Sequence, residues 1–445
     1  MIYPPELAYL SQLSRFGMRL GLERTERLLE QLGAPHRGLR AIHIAGTNGK
    51  GSTAAMTSSI LRAAGYRVGL YTSPHLMEVR ERIRIDGESI SEERLAALIG
   101  RIRSGLFSGG GREEVTYFEF LTVLALTCFQ EERVDLAVVE TGLGGRLDAT
   151  NVITPLVSAI TRIDSDHTEH LGSDLVEIAR EKAGIIKPGI PVVSSEQRAE
   201  VASCLEEVCR AHGVQLILQG RDFRGEILSS DREGVRFHFS GSRGRLQGLR
   251  TPLLGRHQAE NAATALAICQ ELGEEGFPCS EEAIRCGLER TCWRGRIEIL
   301  SHDPLVIVDG AHNPAAISAL QDALEELFPS KRKIMVFGVL KDKDYAKMLA
   351  TLAPWAEKLV LTRPPIDRGA DPTHVAEKLG LNFQQKGVII KDAPAALDYA
   401  RQCASAGDLV CVTGSLYLVA EALKLYGRSS HKIGYPGVLP ACPEN

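Results

Sequence analysis

The densest chemistry in the chain lies in one short run, Ile44-Ala-Gly-Thr-Asn-Gly-Lys-Gly-Ser-Thr53. An apolar stretch leads into three glycines, a lysine and three hydroxyls, and an Ala-rich, helix-forming stretch follows. Glycines let a backbone come close to an anion and turn its N–H groups inward. A helix N-terminus adds partial positive charge, and Lys50 adds a full one. The chemistry this suits is the holding of phosphates, with Ser52 or Thr53 free to bond a phosphate or a magnesium ion. The spacing departs from the general phosphate loop, because only two residues separate Gly46 from Gly49-Lys50 and Gly51 precedes Ser52. A dinucleotide turn would need G-x-G-x-x-G and has no use for the lysine.

Phosphate chemistry calls for magnesium held by hard oxygen ligands or, less often, imidazole. Glu140 ends the apolar run Leu136-Ala-Val-Val-Glu140 and precedes Thr141-Gly-Leu-Gly-Gly145. A carboxylate there stands at the carboxyl edge of a sheet, where open α/β sheets bind ligands. Asp164, Asp166 and His167 follow a second apolar run on the same edge. Asp166 and His167 are adjacent, so one of them is expected to be a bystander. Lys182 falls late in a helix, where composition alone reads it as a cation at a helix C-terminus. Asp309 ends a strand of a second series and reads as a ribose acceptor or as a cap before a turn.

Apolar strands must alternate with amphipathic helices to position these groups, and the chain has that texture. Strands are expected over residues 42–45, 68–71, 134–140, 156–163 and 191–194, and helices over 52–64, 118–129 and 174–183. Residues 225–240 alternate around Asp231-Arg-Glu-Gly234, an antiparallel hairpin, and 258–272 is an Ala-rich helix. A second series has strands at 305–309, 333–337, 358–361 and 409–412. We therefore expect an α/β protein of two domains, residues 1–292 and 293–445, divided near 291–296. Residues 104–114, with three successive glycines, are expected to be a mobile loop, and the tail after Tyr426 to be loose.

The chain has 445 residues, with 52 Lys+Arg against 56 Asp+Glu, a net charge of −4. That balance leaves no footprint for nucleic acid. No apolar run is long enough to span a membrane, and the N-terminal residues do not read as a signal peptide. Ten cysteines without a C-x-x-C pair read as reduced thiols, with the cytoplasm the expected compartment.

Taken together, the segments resemble folylpolyglutamate synthase, within the ATP-dependent Mur-type ligases. The resemblance rests on residues 43–52, Tyr71-Thr-Ser-Pro-His-Leu76, Phe118-Glu-Phe120 and Glu140-Thr-Gly-Leu-Gly-Gly-Arg-Leu-Asp-Ala-Thr-Asn151. It continues through Asp166-His-Thr168, Glu181-Lys-Ala-Gly-Ile-Ile-Lys187, Gly255-Arg-His-Gln-Ala-Glu-Asn-Ala262 and Asp309-Gly-Ala-His-Asn-Pro314. It implies a P-loop-containing Mur-ligase-type N-terminal ATPase domain and a smaller Rossmann-like α/β C-terminal domain. It also implies that Thr47, Asn48, Gly49, Lys50, Gly51 and Ser52 hold ATP phosphates, and that Ser73, Glu140 and His167 bind magnesium. Lys182 would be carbamylated and serve a second magnesium ion. Asn261 and Arg296 would reach the nucleotide phosphates, Asp309 the ribose and His312 the phosphate region. Here the run Trp293-Arg-Gly-Arg296 lacks the proline usual before its glycine, so Arg294 competes with Arg296.

The implied reaction joins a carboxylate to the amine of L-glutamate through an acyl phosphate, with Lys50, Lys182 and His312 as catalytic groups. The implied acids are reduced folates and, for the two-activity bacterial type, dihydropteroate. Asp148 and Gly21-Leu-Glu-Arg-Thr25 are the candidates for a pterin site. Glu119 is either a ligand-side carboxylate or a helix salt bridge. The enzyme is expected to act as a monomer. The rivals are another Mur-type ligase and a P-loop switch. A switch would carry an Asn-Lys-x-Asp motif, and by comparison Lys341-Asp-Lys-Asp344 reads only as a charged loop.

Overall fold

The computed structural model describes residues 5–13, 17, 19–108, 115–172, 174–379 and 385–427. Eight strands form the first sheet: β1 (Ala41–Ala45), β2 (Val68–Tyr71), β3 (Ile83–Ile85), β4 (Glu88–Ser89), β5 (Leu136–Glu140), β6 (Val157–Ile160), β7 (Val192–Ser194) and β8 (Leu216–Leu218). Their order is β4-β3-β2-β5-β1-β6-β7-β8. The six strands from β2 to β8 are parallel, and β3 and β4 add an antiparallel edge. β1, β5 and β6 are buried along their whole length, which is why they read as continuous apolar runs.

The connections reverse direction around β1. Ile44 pairs with Glu140, and Ala45 with Ile160. The phosphate turn, Glu140 and the segment after β6 therefore leave the sheet side by side. Ligands bind at such a switch point.

Helix Lys50–Ala63 follows the turn from Gly49, whose φ of +90° opens the first helical turn. It packs on helices His257–Glu274 and Glu281–Glu289. On the opposite face, helix Tyr117–Glu131 begins with a capping box between Thr116 and Glu119. β9 (Arg224–Asp231), β10 (Gly234–Gly241) and β11 (Gly244–Thr251) form a separate three-stranded sheet. The expected hairpin is thus β9–β10 with a third strand that sequence reading did not see. Its inner face joins the core through Val235, Phe237, Phe239 and Leu249.

The third sheet holds β12 (Glu298–His302), β13 (Leu305–Val308), β14 (Lys333–Phe337), β15 (Lys358–Leu361), β16 (Gly387–Ile389) and β17 (Leu409–Thr413), ordered β12-β13-β17-β14-β15-β16. All its pairs are parallel except β12–β13. Helix Pro314–Leu327 starts with Asn313 as its cap, accepting from the Ala316 N–H, and with proline at its first turn. Those are favoured starts for a helix, so His312-Asn-Pro314 is first of all a turn of fixed shape.

One expectation is corrected. Ser104 belongs to helix Glu92–Ser108, not to a loop, because Leu95, Leu98, Ile99 and Ile102 keep one face of that helix buried. Residues 109–114 and the tail beyond Gly427 lie outside the described residues.

Candidate active site

A cleft of about 750 Å³ opens at the carboxyl edge of the first sheet and is closed on its far side by the third-sheet unit. Its wall includes Gly46, Thr47, Asn48, Gly49, Lys50, Gly51, Ser52, Ser73, Glu140, Asp166, His167, Lys182, Asn261, Arg296, Asp309 and His312. Thr53 is absent from that wall; it is fully buried, and its hydroxyl lacks a partner. Ser52 is therefore the hydroxyl offered to a ligand.

The turn is tight because its neighbours leave no room. A Cβ on Gly49 would strike the Asn261 amide oxygen, and one on Gly51 would stand 2.9 Å from the Trp293 indole. Lys50 Nζ donates to the Gly46 carbonyl at 3.0 Å and the Thr47 carbonyl at 3.1 Å. Burial lowers its pKa, with Glu140 and Asp166 opposing. Glu140 accepts one hydrogen bond, from the Ser73 N–H at 3.1 Å. Burial raises its pKa against the pull of Lys50.

Lys182 is buried and donates to the Gly46 carbonyl at 2.7 Å. Burial, and then the charge of Lys50, bring its pKa down to about 7. A surface helix-end lysine would show neither feature. Much of this amine is neutral at physiological pH, as a lysine must be to act as a nucleophile.

The two units meet through polar contacts. Asn48 and Asn313 exchange amide hydrogen bonds, with Asn313 Nδ2 donating to Asn48 Oδ1 at 2.9 Å and Asn48 Nδ2 reaching Asn313 Oδ1 at 3.4 Å. Lys343 Nζ lies 2.6 Å from Asp166 Oδ1 and 3.1 Å from His167 Nε2. The Lys343 and Asp166 side chains are only 5% and 8% exposed. Burial alone would raise the Asp166 pKa, but its cationic neighbours, His312 in its protonated form and the Lys343 ammonium, outweigh it and hold the carboxyl below its ordinary range.

Two sequence expectations change here. Asp166 and His167 both join the cluster. The left-handed backbone of His167, with φ of +51°, lets consecutive side chains face one group. The segment Lys341-Asp-Lys-Asp344, read as a charged loop, supplies Lys343. The signal that could have found it is position, since it follows the carboxyl end of β14, the edge used by the rest of the site.

His312 Nδ1 donates to the Gly310 carbonyl at 2.7 Å, which leaves Nε2 unprotonated and 3.6 Å from Asp166 Oδ2. Burial and the charge of Lys343 bring the His312 pKa to about 4, and the same causes act at His167, where Asp166 opposes. Both rings are neutral at pH 7. Asp309 accepts from the Ile297 and Ala311 N–H groups at 2.9 and 2.8 Å, so it shapes the turn as well as lining the cleft. Arg296 lines the cleft, whereas Arg294 is tied to Glu298 at 3.0 and 2.8 Å.

Glu119 and Asp148 are not among the residues lining this cleft. Glu119 caps its own helix through the Thr116 N–H at 2.7 Å and accepts from Arg24 at 2.8 Å. Asp148 accepts from the N–H groups of Gly142, Leu143 and Thr150 at 2.9, 2.8 and 3.0 Å. Their elements still adjoin: the turn Ala149–Val152 packs on helices Tyr117–Glu131 and Glu23–Gln31.

Comparison with known families decides the lineage. Residues 44–269 match the Mur ligase middle domain, and residues 295–416 the Mur ligase glutamate ligase domain. This chain belongs to the Mur ligase family. It is 34% identical to the dihydrofolate synthase/folylpolyglutamate synthase of Bacillus subtilis, covering 92% of this chain and 96% of that protein. It is 36% identical to a probable bifunctional folylpolyglutamate synthase/dihydropteroate synthase of Haloferax volcanii, over 96% of this chain and about half (51%) of that longer protein. A solved structure described as Escherichia coli FolC in complex with DHPP and ADP superposes with a TM-score of 0.87 at 35% identity, covering 96% of this chain and 99% of that one. Within the family the chain falls in the dihydrofolate synthase/folylpolyglutamate synthase group. No helix among the described residues is long and apolar enough to cross a membrane.

Proposed function

We propose that the chain joins L-glutamate to reduced folates, and to dihydropteroate as well, at the expense of ATP. It is an ATP-dependent ligase of acid and amino acid. The observation that carries this reading is the convergence of Lys50, Glu140 and Lys182 from the first unit with Arg296, Asp309 and His312 from the second on one cleft.

A carboxylate is a poor acyl donor, so it must be activated. The substrate carboxylate attacks the γ-phosphate of ATP, and ADP leaves. The glutamate amine attacks the resulting acyl phosphate, and the tetrahedral adduct collapses to amide and phosphate. The protein's share is positioning and charge neutralisation. Backbone N–H groups of the 46–51 turn and Lys50 face the phosphates. The Asn48–Asn313 and Asp166–Lys343 contacts hold the second unit over them and keep water from a hydrolysable intermediate.

The residues fit magnesium through oxygen. The Glu140 carboxylate keeps lone pairs free for the cleft beside Ser52 and Ser73. Among the described residues no group of three or more His, Cys, Asp or Glu side chains could hold an ion alone, so phosphate and water would complete the shell, as magnesium prefers. Bound there, magnesium would neutralise phosphate charge. The neutral Lys182 amine suits carbamylation, and its carboxylate would serve a second ion. The region of Gly21-Leu-Glu-Arg-Thr25, Glu119 and Asp148 is our choice for the pterin. We read the chain as a cytoplasmic monomer divided at residues 292/293.

Phosphate release from magnesium-ATP and glutamate, measured with dihydropteroate and with tetrahydrofolate, tests this. Release with both, strictly dependent on glutamate, is the expected result. Release with tetrahydrofolate alone removes the dihydropteroate activity. No release with either removes the folate assignment.

A further inference from the structure

A second, smaller cavity of about 140 Å³ opens from the main cleft. The two share Gly51, Ser73, Glu140 and Arg296, the place where the phosphate end of the site lies. The interdomain linker supplies Trp293 on one side, helix Leu416–Gly427 supplies Leu416 and Leu423 on another, the segment after β2 supplies Leu76, and β3 supplies Arg84. The Trp293 indole rests on Gly51, and the Arg84 guanidinium lies over the same indole at 5.4 Å from its centroid.

The charges around this cavity do not cancel within it. Glu81 is committed to the N–H groups of Leu76, Met77 and Glu78 at 2.8, 2.9 and 2.9 Å. Arg294 is tied to Glu298. Arg84 donates from Nε to the Glu81 carbonyl at 3.2 Å and forms no ion pair with a carboxylate of the described residues. A half-buried guanidinium stacked on an indole and lacking a carboxylate is a prepared anion receptor. The inner end of the cavity is different, since Glu140 stands there.

Size narrows the occupant. Drug-sized ligands need about 300–1,000 Å³, so a pterin with its benzoyl arm does not fit, whereas a short amino acid does. Leu76, Leu416 and Trp293 offer apolar contact for methylenes between the charged ends.

We propose that this side cavity seats the L-glutamate co-substrate, with Arg84 holding one of its carboxylates against the Trp293 face and its amine directed toward the acyl group at the mouth. The proposal rests on the ligase reading above and adds where the amino acid sits and what selects it. With the side-chain carboxylate as the one on Arg84, the cationic receptor at the outer end favours glutamate over glutamine, whose side-chain amide cannot pair with a guanidinium as a carboxylate does.

Two measurements separate this proposal from the reading beneath it. In steady-state ligation, Arg84→Ala should raise the KM for L-glutamate about tenfold or more, with the KM values for ATP and folate within about twofold of the parent. Arg84→Lys should recover part of the loss. An unchanged glutamate KM overturns the proposal. So does an equal rise in the ATP KM, because Arg84 would then only brace the linker on the phosphate loop. The second measurement needs no turnover. The chain has two tryptophans, so a Trp355→Phe background reports Trp293 alone. With a non-hydrolysable ATP analogue present, L-glutamate should shift Trp293 emission saturably, and Arg84→Ala should abolish the shift. A shift that survives in Arg84→Ala, or no shift in the parent background, overturns the site. A chain that fails to ligate either pterin and yet shows the Arg84-dependent shift would remove the folate reading and leave the amino-acid site standing.

Discussion

Glu140 and Asp148 stand eight residues apart on either side of one glycine-rich bend, and burial raises the pKa of both. Asp148 accepts from three backbone N–H groups and the Thr150 hydroxyl. Glu140 accepts from one, the Ser73 N–H. The bend around Asp148 is therefore a saturated knot that holds its own shape. The cleft around Glu140 keeps acceptor capacity that only a ligand can use. Glu119, consumed by its cap and Arg24, builds the fold as Asp148 does. Asp166 is a third case, because it accepts from the His167 N–H, Lys343 and Asn313 and still lines the cleft, where it ties the two units together. Between Glu140 and Asp148, both buried and both carboxylates, the degree of hydrogen-bond saturation is what distinguishes the residue open to a ligand from the one spent on the fold.

The sharpest way to break this comparison is to neutralise each carboxylate. Lys50→Ala and Glu140→Gln should each lower kcat/KM for ligation by about 10²–10³-fold, the scale of losing one preorganised charge-stabilising group. The Glu140→Gln chain should unfold at the same urea concentration as the parent or higher, because a charge the interior disfavours has gone. Phosphate-release kinetics and urea titration check the two halves. A Glu140→Gln chain that loses stability and keeps activity would invert the comparison.

Next in size is the seam. Lys343→Met strands Asp166 in a buried position, and breaking such a pair costs about 3–5 kcal/mol. Part of that cost should appear as domain opening. The expected result is faster limited proteolysis near the linker and a raised KM for ATP, with the chain still folded. An unchanged cleavage pattern would reduce Lys343 to a surface contact.

Asp148→Asn comes third. It replaces an acceptor of several N–H groups with an amide that brings donors of its own. Leaving a buried donor unpaired costs about 1–3 kcal/mol, so the urea midpoint should fall. Nucleotide affinity, measured by ADP titration, should hold, because Asp148 does not line the cleft.

The smallest effect is with pH. His43 is fully buried in β1, with Nε2 on the Thr150 hydroxyl at 2.8 Å, and burial lowers its pKa to about 3. Below its ordinary value of 6.5 the unfolded ring takes up a proton and the folded ring does not. Its share of stability is thus complete above pH 6.5 and is lost as pH falls from there toward 3. His43→Gln should flatten the decline of the urea midpoint between pH 6.5 and 4.5. An unaltered slope would assign acid sensitivity to the cleft histidines His167, His257 and His312, which burial depresses to about 4.

Much of the first sheet was legible because its signals are local. A strand buried on both faces is an apolar run, so β1, β5 and β6 appear within a residue or three of their observed ends. The glycines and lysine of the 46–51 turn declare an anion site through backbone chemistry that operates within a few residues. The helix start at Asn313-Pro314 is likewise a cap and a first-turn proline. The third strand of the small sheet was less legible, because β11 is half-exposed and its pattern, Gly-Arg-Leu-Gln-Gly-Leu-Arg-Thr, is broken by glycine.

The sequence by itself determined the alternation of strand and helix, the phosphate turn, and the placing of Glu140 and Asp309 at strand ends. Those follow from periodicity, from turn chemistry and from the rule that parallel sheets gather function at one edge. Tertiary structure alone decided that Lys343 pairs with Asp166 across 177 positions, that Asp148 is spent on its own loop, and that Arg84 lies over Trp293. Each of these depends on which groups the folded chain leaves without water and without a partner. That quantity is set by packing between distant segments, and no window of sequence contains it.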